Sequence, residues 1–468
     1  MKTMKRIAAL FVFLVLVIGS YGQDISGQWI GFLKVQGMQL RIVFNVTKTE
    51  TGYISTMDSP DQVAKGIPVT KTTFENSKLR IEVASARMEY TGELKDNKIS
   101  GTFRQSGMEL PMDLTREIME KQLVKRLQEP EKPYPYNSED ITFQNNKANI
   151  TLAGTLTLPK KEGNYPAVIL ITGSGPQNRD EELMGHKPFL VLSDYLTRQG
   201  IAVLRYDDRG FALSKGNFVT ATTLDFASDV ESAIAYLKTR KEINPNKIGL
   251  VGHSEGGIIA PMVASKSKDV KFIVLLAGTG IRGDKLLLMQ QELLAKVSGK
   301  PDAEIQKSKE MYAGAFEIIV KSGSTDSLKA DLKSYLAKSL KNYPEYTKSM
   351  GMTEEALLAV QINQLTSPWM LYVIRYDPSV VLETVKCPVL AVNGEKDMQV
   401  PSKVNLPAIE NALKKGGNKK VTIKEFPNLN HLFQECKTGS PGEYAEIEQT
   451  FSPIAMEFIS GWILQQTK

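Results

Sequence analysis

The sequence predicts an α/β protein: a mostly parallel sheet flanked by helices, interrupted by a helical insertion and preceded by a small antiparallel β domain. Three observations lead there. Apolar and polar residues alternate at period two in the first part of the chain, apolar runs alternate with helix-length segments beyond residue 139, and residues 281–378 show helical patterning with no convincing strand. A chain of 468 residues exceeds one ordinary domain, and 42% hydrophobic against 24% charged residues supply a sizeable core without a disorder signature.

At the N-terminus Lys2, Lys5 and Arg6 precede an uninterrupted apolar run from Ile7 to Ile18, and Ser20 and Gly22 supply the small side chains that signal peptidases require. Residues 1–22 are read as a signal peptide cleaved before Gln23, which implies export to the periplasm or beyond the cell. The run is shorter than the roughly 20 residues that span a bilayer, so no stable membrane insertion is expected after cleavage. With the three leader cations removed, basic and acidic residues nearly balance, and nucleic acid is not an implied partner. Cys387 and Cys436 are the only cysteines, and neither follows the apolar run to accept a lipid. They are read as two buried free thiols, although an oxidising compartment would permit a bridge.

Residues 23–115 form the β domain, with alternation clearest in Leu40-Arg41-Ile42-Val43-Phe44 and Leu79-Arg80-Ile81-Glu82-Val83. Its ends echo each other. Ile25-Ser26-Gly27-Gln28-Trp29 returns as Ile99-Ser100-Gly101-Thr102-Phe103, and Gly37-Met38-Gln39-Leu40 as Gly107-Met108-Glu109-Leu110, as if two related hairpins closed one barrel or sandwich. Trp29 and Phe103 are read as core residues. Residues 116–138 form a linker, helical from Arg116 to Gln128 and then stiffened by Pro130, Pro133 and Pro135.

In residues 139–468 strands are expected at Ala167 to Thr172, Ile201 to Tyr206, Ile248 to Val251 and Phe272 to Ala277, with helices over Phe189 to Arg198 and Leu224 to Thr239. The stretch 281–378 is a helical cap. The sheet resumes with Pro388 to Asn393 and Val421 to Phe426, and Tyr444 to Leu464 closes as a helix.

Gly252-His253-Ser254-Glu255-Gly256 matches G-x-S-x-G between a strand and a small-residue helix, which is the context of a nucleophile elbow in an α/β-hydrolase fold. A serine hydroxyl needs a base, and an imidazole titrating near neutrality suits that task. Of three histidines, His253 lies inside the elbow and His186 precedes it, so His431, after the strand ending at Phe426, is the expected base. The acid falls between them in chain order. Asp397, just past the strand Val389 to Val392, is favoured over Glu395 and Asp377. Two backbone N–H groups would hold the oxyanion: that of Glu255, and that of Ser174 in Gly173-Ser174-Gly175-Pro176, with Gly175 in reserve.

Four ordered segments then carry a family likeness: Gly173-Ser174-Gly175-Pro176-Gln177-Asn178-Arg179-Asp180-Glu181, Arg205-Tyr206-Asp207-Asp208-Arg209-Gly210, the elbow with Gly257, and Gly394-Glu395-Lys396-Asp397. From about Ile141 to the C-terminus the chain resembles bacterial α/β hydrolases of the serine aminopeptidase and lysophospholipase-like group, and is similar to EstD-type carboxylesterases with an N-terminal β domain. The resemblance implies an esterase active on short acyl chains. Ala212 departs from the pattern, standing where the group usually has Gly. Asp207 and Arg209 are read as holding that loop together. The aminopeptidase label names the family, and no amine-binding acidic pocket is legible.

No phosphate loop, zinc spacing or dinucleotide fingerprint is present, so neither cofactor nor metal is implied. Leu286-Leu287-Leu288-Met289, Trp369, Tyr372 and Tyr376 stand between acyl-pocket lining and cap core. The expected partner is a small-molecule ester. Two rivals remain: a peptidase of the same fold, and a glycan- or lipid-binding surface protein with an inert hydrolase domain.

Overall fold

The structure, a computed structural model, describes residues 24–35, 38–60, 64–86, 88–105, 108–117, 126–323, 325–349 and 353–468. The leader read at 1–22 lies outside them, as do Gly37, Gly107 and most of the helix read from Arg116. The described ends of that segment, Arg116 to Glu117 and Arg126 to Gln128, are bend and turn. Two compact units make up the fold.

In the N-terminal unit, strands Gly27–Val35, Met38–Thr49, Gly52–Ser59, Lys71–Glu75, Lys78–Val83, Met88–Lys95, Lys98–Gln105 and Met108–Thr115 form one sheet. The last strand pairs with the first (Ile30 opposite Thr115) and the second with the third (Val43 opposite Asp58), closing the sheet into a barrel. Ala64–Pro68 adds along the third strand. Closure pairs edges that would otherwise seek another chain. Trp29, Phe44, Tyr90, Ile99 and Phe103 are buried, and the polar tips among them are satisfied: Trp29 Nε1 donates to the Ile25 carbonyl at 2.8 Å and the Tyr90 hydroxyl to the Met112 carbonyl at 3.0 Å.

The second unit holds an eight-stranded sheet in the order Asn137–Asn145, Ile150–Leu158, Ala202–Tyr206, Tyr165–Ile171, Ile243–His253, Val270–Leu276, Val389–Gly394, Val421–Phe426. The first two strands run antiparallel to their neighbours and the remaining six are mutually parallel. The opening hairpin is absent from the sequence reading because its polarity misleads. Thr155 and Thr157 are buried with partners, Asp140 Oδ1 at 2.8 Å and Thr197 Oγ1 at 2.6 Å.

Along Tyr165–Ile171 successive side chains enter opposite cores. Ala167, Ile169 and Ile171 pack with helices Thr223–Thr239, Gly256–Ala264 and Ser402–Lys415; Val168 and Leu170 pack with Pro188–Arg198 and Pro453–Gln466. Ser402–Lys415 escapes the sequence reading because Pro407 lies inside it. The final helix begins at Pro453 rather than Tyr444, with proline in the first turn where its missing N–H is harmless. The residues before it serve as a loop that receives buried His186: Tyr444 O and Thr450 Oγ1 meet the two ring nitrogens at 2.7 and 2.9 Å.

Between the adjacent strands Val270–Leu276 and Val389–Gly394 the chain makes a helical excursion from Gly283 to Leu382 with its own core of Met311, Phe316, Ile319, Leu332, Leu357 and Ile374. Leu287 and Leu288 pack on that core, while Trp369, Tyr372 and Tyr376 pack on the core beneath the sheet. Cys387 and Cys436 are free and half-buried, not fully buried as expected, and burial pushes the Cys387 thiol up to about 11. Among the described residues no helix is long and apolar enough to cross a membrane.

Ala212 adopts φ 45°, the left-handed region that disfavours a Cβ by about 1–2 kcal/mol. Glycine relieves that strain at an unfolded-state entropy penalty of about 0.4–1 kcal/mol. Ala212→Gly is therefore expected to raise stability by up to about 1 kcal/mol, measured as a higher thermal midpoint; a lower midpoint would contradict the strain argument.

Candidate active site

The C-terminal ends of the parallel strands supply every part of the candidate site, where loops leave a rigid sheet and face a common crevice. Strand Ile243–His253 turns directly into helix Gly256–Ala264, and Ser254 at the turn has φ 52°. A non-glycine residue holds that conformation only when its surroundings enforce it. Here the Ser254 N–H donates to the Leu276 carbonyl at 2.8 Å. A Cβ on Gly252 would lie 2.0 Å from the Gly256 carbonyl oxygen, and one on Gly256 would lie 2.2 Å from that of Ile171. Any side chain at either position would drive strand and helix apart.

His431 lies on the loop after Val421–Phe426, and its Nδ1 is 2.8 Å from Asp397 Oδ2. The other carboxylate oxygen accepts the N–H groups of Gln399 and Val400 at 2.8 and 2.9 Å, so Asp397 is held in one orientation. Both side chains are buried. With Nδ1 donating to the carboxylate, Nε2 is left with the lone pair a base requires. The two rival acids have other work: Asp377 caps the helix Pro378–Leu382, and Glu395 accepts the Asn428 N–H at 3.1 Å.

The elbow and the base loop meet through His253, whose Nε2 donates to the His431 carbonyl at 3.0 Å and whose ring lies 4.8 Å from that of His431. No hydrogen bond joins Ser254 Oγ to His431 among the described residues; contacts of this kind tighten when substrate binds. Gly173 lies against Ser254, since a Cβ there would stand 3.2 Å from Ser254 Cβ. Glu255 precedes the first turn of helix Gly256–Ala264, where N–H groups lack intrahelical acceptors and the helix dipole favours negative charge.

Asp208 brackets the Gly173-Ser174-Gly175-Pro176 turn, accepting Thr172 Oγ1 at 2.7 Å on one side and the Gln177 N–H at 2.8 Å on the other. Burial holds its carboxyl well above the ordinary carboxylate range. Asp207 accepts the Arg179 N–H and Nη2, both at 2.8 Å, and Arg209 pairs with Asp229 at 2.7 Å, so Asp207 and Arg209 knit the loops together. Sequence reasoning overlooked Asp208, although it stands inside a quoted motif.

Glu255 was expected to contribute only its backbone, yet its side chain joins three elements. Its buried carboxylate accepts Thr223 Oγ1 at 2.7 Å and the cap's Trp369 Nε1 at 2.9 and 3.0 Å, and it also bonds the Ser174 side chain. Burial raises it above its usual range, partly offset by these donors. A cavity of about 540 Å³ is lined by Thr222, Pro368, Leu371, Tyr372, Val380 and Val381 among others, and its lining includes none of Ser254, Asp397 and His431. Nothing local in the sequence signals the pairing of residues 114 positions apart.

Trp369→Phe keeps an aromatic ring, though a smaller one, and deletes the donor, leaving the buried Glu255 carboxyl short of a partner. A loss of about 1–3 kcal/mol is expected, read by thermal unfolding against wild type; an unchanged midpoint would show that the bond contributes nothing net.

A model of the family described as serine aminopeptidase, S33, matches residues 188–435, a span that contains Ser254, Asp397 and His431. Esterase EstD of Thermotoga maritima is 26% identical over 301 residues, covering 64% of this chain and 61% of EstD. Human acyl-coenzyme A thioesterase 1 is 28% identical over 168 residues, 36% of either chain. The chain thus spans about three fifths of EstD and a smaller share of the thioesterase. Among solved structures, Est1E of Butyrivibrio proteoclasticus with ferulic acid bound aligns at TM-score 0.41 and 16% identity, covering 70% of this chain and 99% of Est1E. Since the family match extends over more than half of the sequence, the chain belongs to the serine aminopeptidase S33 family of α/β hydrolases.

Proposed function

We propose that the protein is an exported serine carboxylesterase acting on small esters with short acyl chains. The observation that supports it most is the 2.8 Å contact between His431 Nδ1 and Asp397, set on the strand end next but one to the strained elbow that presents Ser254. In this reading Ser254 Oγ attacks the ester carbonyl while His431 Nε2 takes its proton. The tetrahedral oxyanion is received by the N–H groups of Glu255 and Ser174. Collapse expels the alcohol, which leaves with the proton from His431. Water, deprotonated by the same ring, then attacks the acyl-enzyme and releases the acid and free Ser254. Asp397 keeps the imidazole oriented and stabilises its charged form.

The name of EstD supports ester over amide chemistry. The leader read at residues 1–22 supports action outside the cytoplasm. A peptidase is the second reading, favoured by the family's description.

The test is hydrolysis of p-nitrophenyl esters from acetate to laurate by the mature protein. Turnover is expected to fall with chain length and to vanish in Ser254→Ala. Asp397→Asn is expected to lower kcat by roughly 10³–10⁴-fold. Turnover of a matched p-nitroanilide with no ester hydrolysis would turn the assignment to a peptidase, and neither activity in folded protein would leave a binding role.

A further inference from the structure

The esterase reading leaves His253 and Glu181 without a part, yet both are buried at the centre of the site, 6% and 3% exposed. His253 Nδ1 lies 2.9 Å from Glu181 Oε1, and its Nε2 lies 3.0 Å from the His431 carbonyl oxygen. A carbonyl only accepts, so Nε2 bears a proton; a carboxylate oxygen facing Nδ1 calls for a second. That same Glu181 oxygen accepts the Gly173 N–H at 2.8 Å, and an oxygen already receiving a donor is better suited to accept again than to carry the proton. These contacts suit an imidazolium paired with a carboxylate. Glu181 is held at φ 52°, a left-handed backbone that the surrounding contacts must sustain.

We propose that Glu181 and His253 form a second carboxylate–histidine couple which positions the base, tying the Gly173 turn and the His431 backbone to the elbow and fixing a positive charge against the His431 ring. The proposal rests on the serine-hydrolase reading of Ser254 and His431. Neither residue touches substrate in this scheme; both act through His431 and the oxyanion turn. The groups facing His253 are Glu181 from the turn after Tyr165–Ile171, Asp397 from the loop after Val389–Gly394, and His431 itself. Burial by itself pushes the His253 imidazole down, but Glu181, the His431 carbonyl and Asp397 outweigh it and hold the ring above its ordinary value.

Two measurements test this. With only three histidines in the chain, imidazole nitrogen NMR on the wild-type protein, assigned with His186→Asn, reports the His253 ring directly. It is expected to stay doubly protonated where an ordinary histidine has lost its second proton; a neutral ring at neutral pH overturns the proposal. In parallel, Glu181→Gln keeps an oxygen acceptor and deletes the charge. Its kcat on p-nitrophenyl acetate at neutral pH should fall on the order of tenfold with KM little changed. A fluorophosphonate probe of serine nucleophiles separates the two levels of inference. If it fails to label wild-type Ser254, the hydrolase reading falls and this one with it. If it labels wild type and the Glu181→Gln protein keeps the wild-type kcat and KM, the couple alone is refuted.

Discussion

Strand Ile243–His253 and helix Gly256–Ala264 approach so closely that no carbon atom fits between them, and the rest of the site is arranged around that contact. At 2.0 Å between an added Gly252 Cβ and the Gly256 carbonyl, the constraint is steric and admits no compromise. It forces the intervening residue into a left-handed turn and lifts its side chain above the sheet. The neighbouring strand ends then have one place to deliver their residues: the Gly173 turn from one side, Asp397 and His431 from the other. A hydrolytic site of this kind needs little machinery beyond a sheet whose strand ends converge and a turn too tight for side chains.

Much of this was legible in the sequence because the governing signals are local. G-x-S-x-G encodes the steric turn, period two and buried apolar runs encode the strands, and three histidines leave few candidates for a base. What escaped is non-local. The Asn137–Leu158 hairpin reads as polar because its threonines find partners on other elements, and the helix Ser402–Lys415 is disguised by its proline. Asp208 and Glu181 look like ordinary loop acids until folding buries them against backbone N–H groups. No spacing rule announces Trp369 and Glu255, which lie on different layers.

The site is also held in a graded way. Ser254 and Asp397 follow rigid strand ends, Ser254 giving its N–H to the Leu276 carbonyl and Asp397 receiving two backbone N–H groups, whereas the Gly173 turn is secured by side chains: Asp208 across its two ends and Glu181 at Gly173. Carboxylates bonded to main-chain N–H groups are well suited to this, being short, directional and costly to desolvate unless fully paired.

The bond from Trp369 to Glu255 has a historical consequence. The second variable position of the elbow motif is ordinarily free to drift, because chemistry asks only for its backbone. In this chain that position also reads the identity of the insertion above it, through an indole N–H. An exchange of caps between lineages would then bring a mismatched donor over a buried acid, so the motif residue and the cap are expected to have been inherited as a pair. Divergence in substrate preference within such a lineage would proceed by remodelling around a retained tryptophan more readily than by wholesale replacement of the cap.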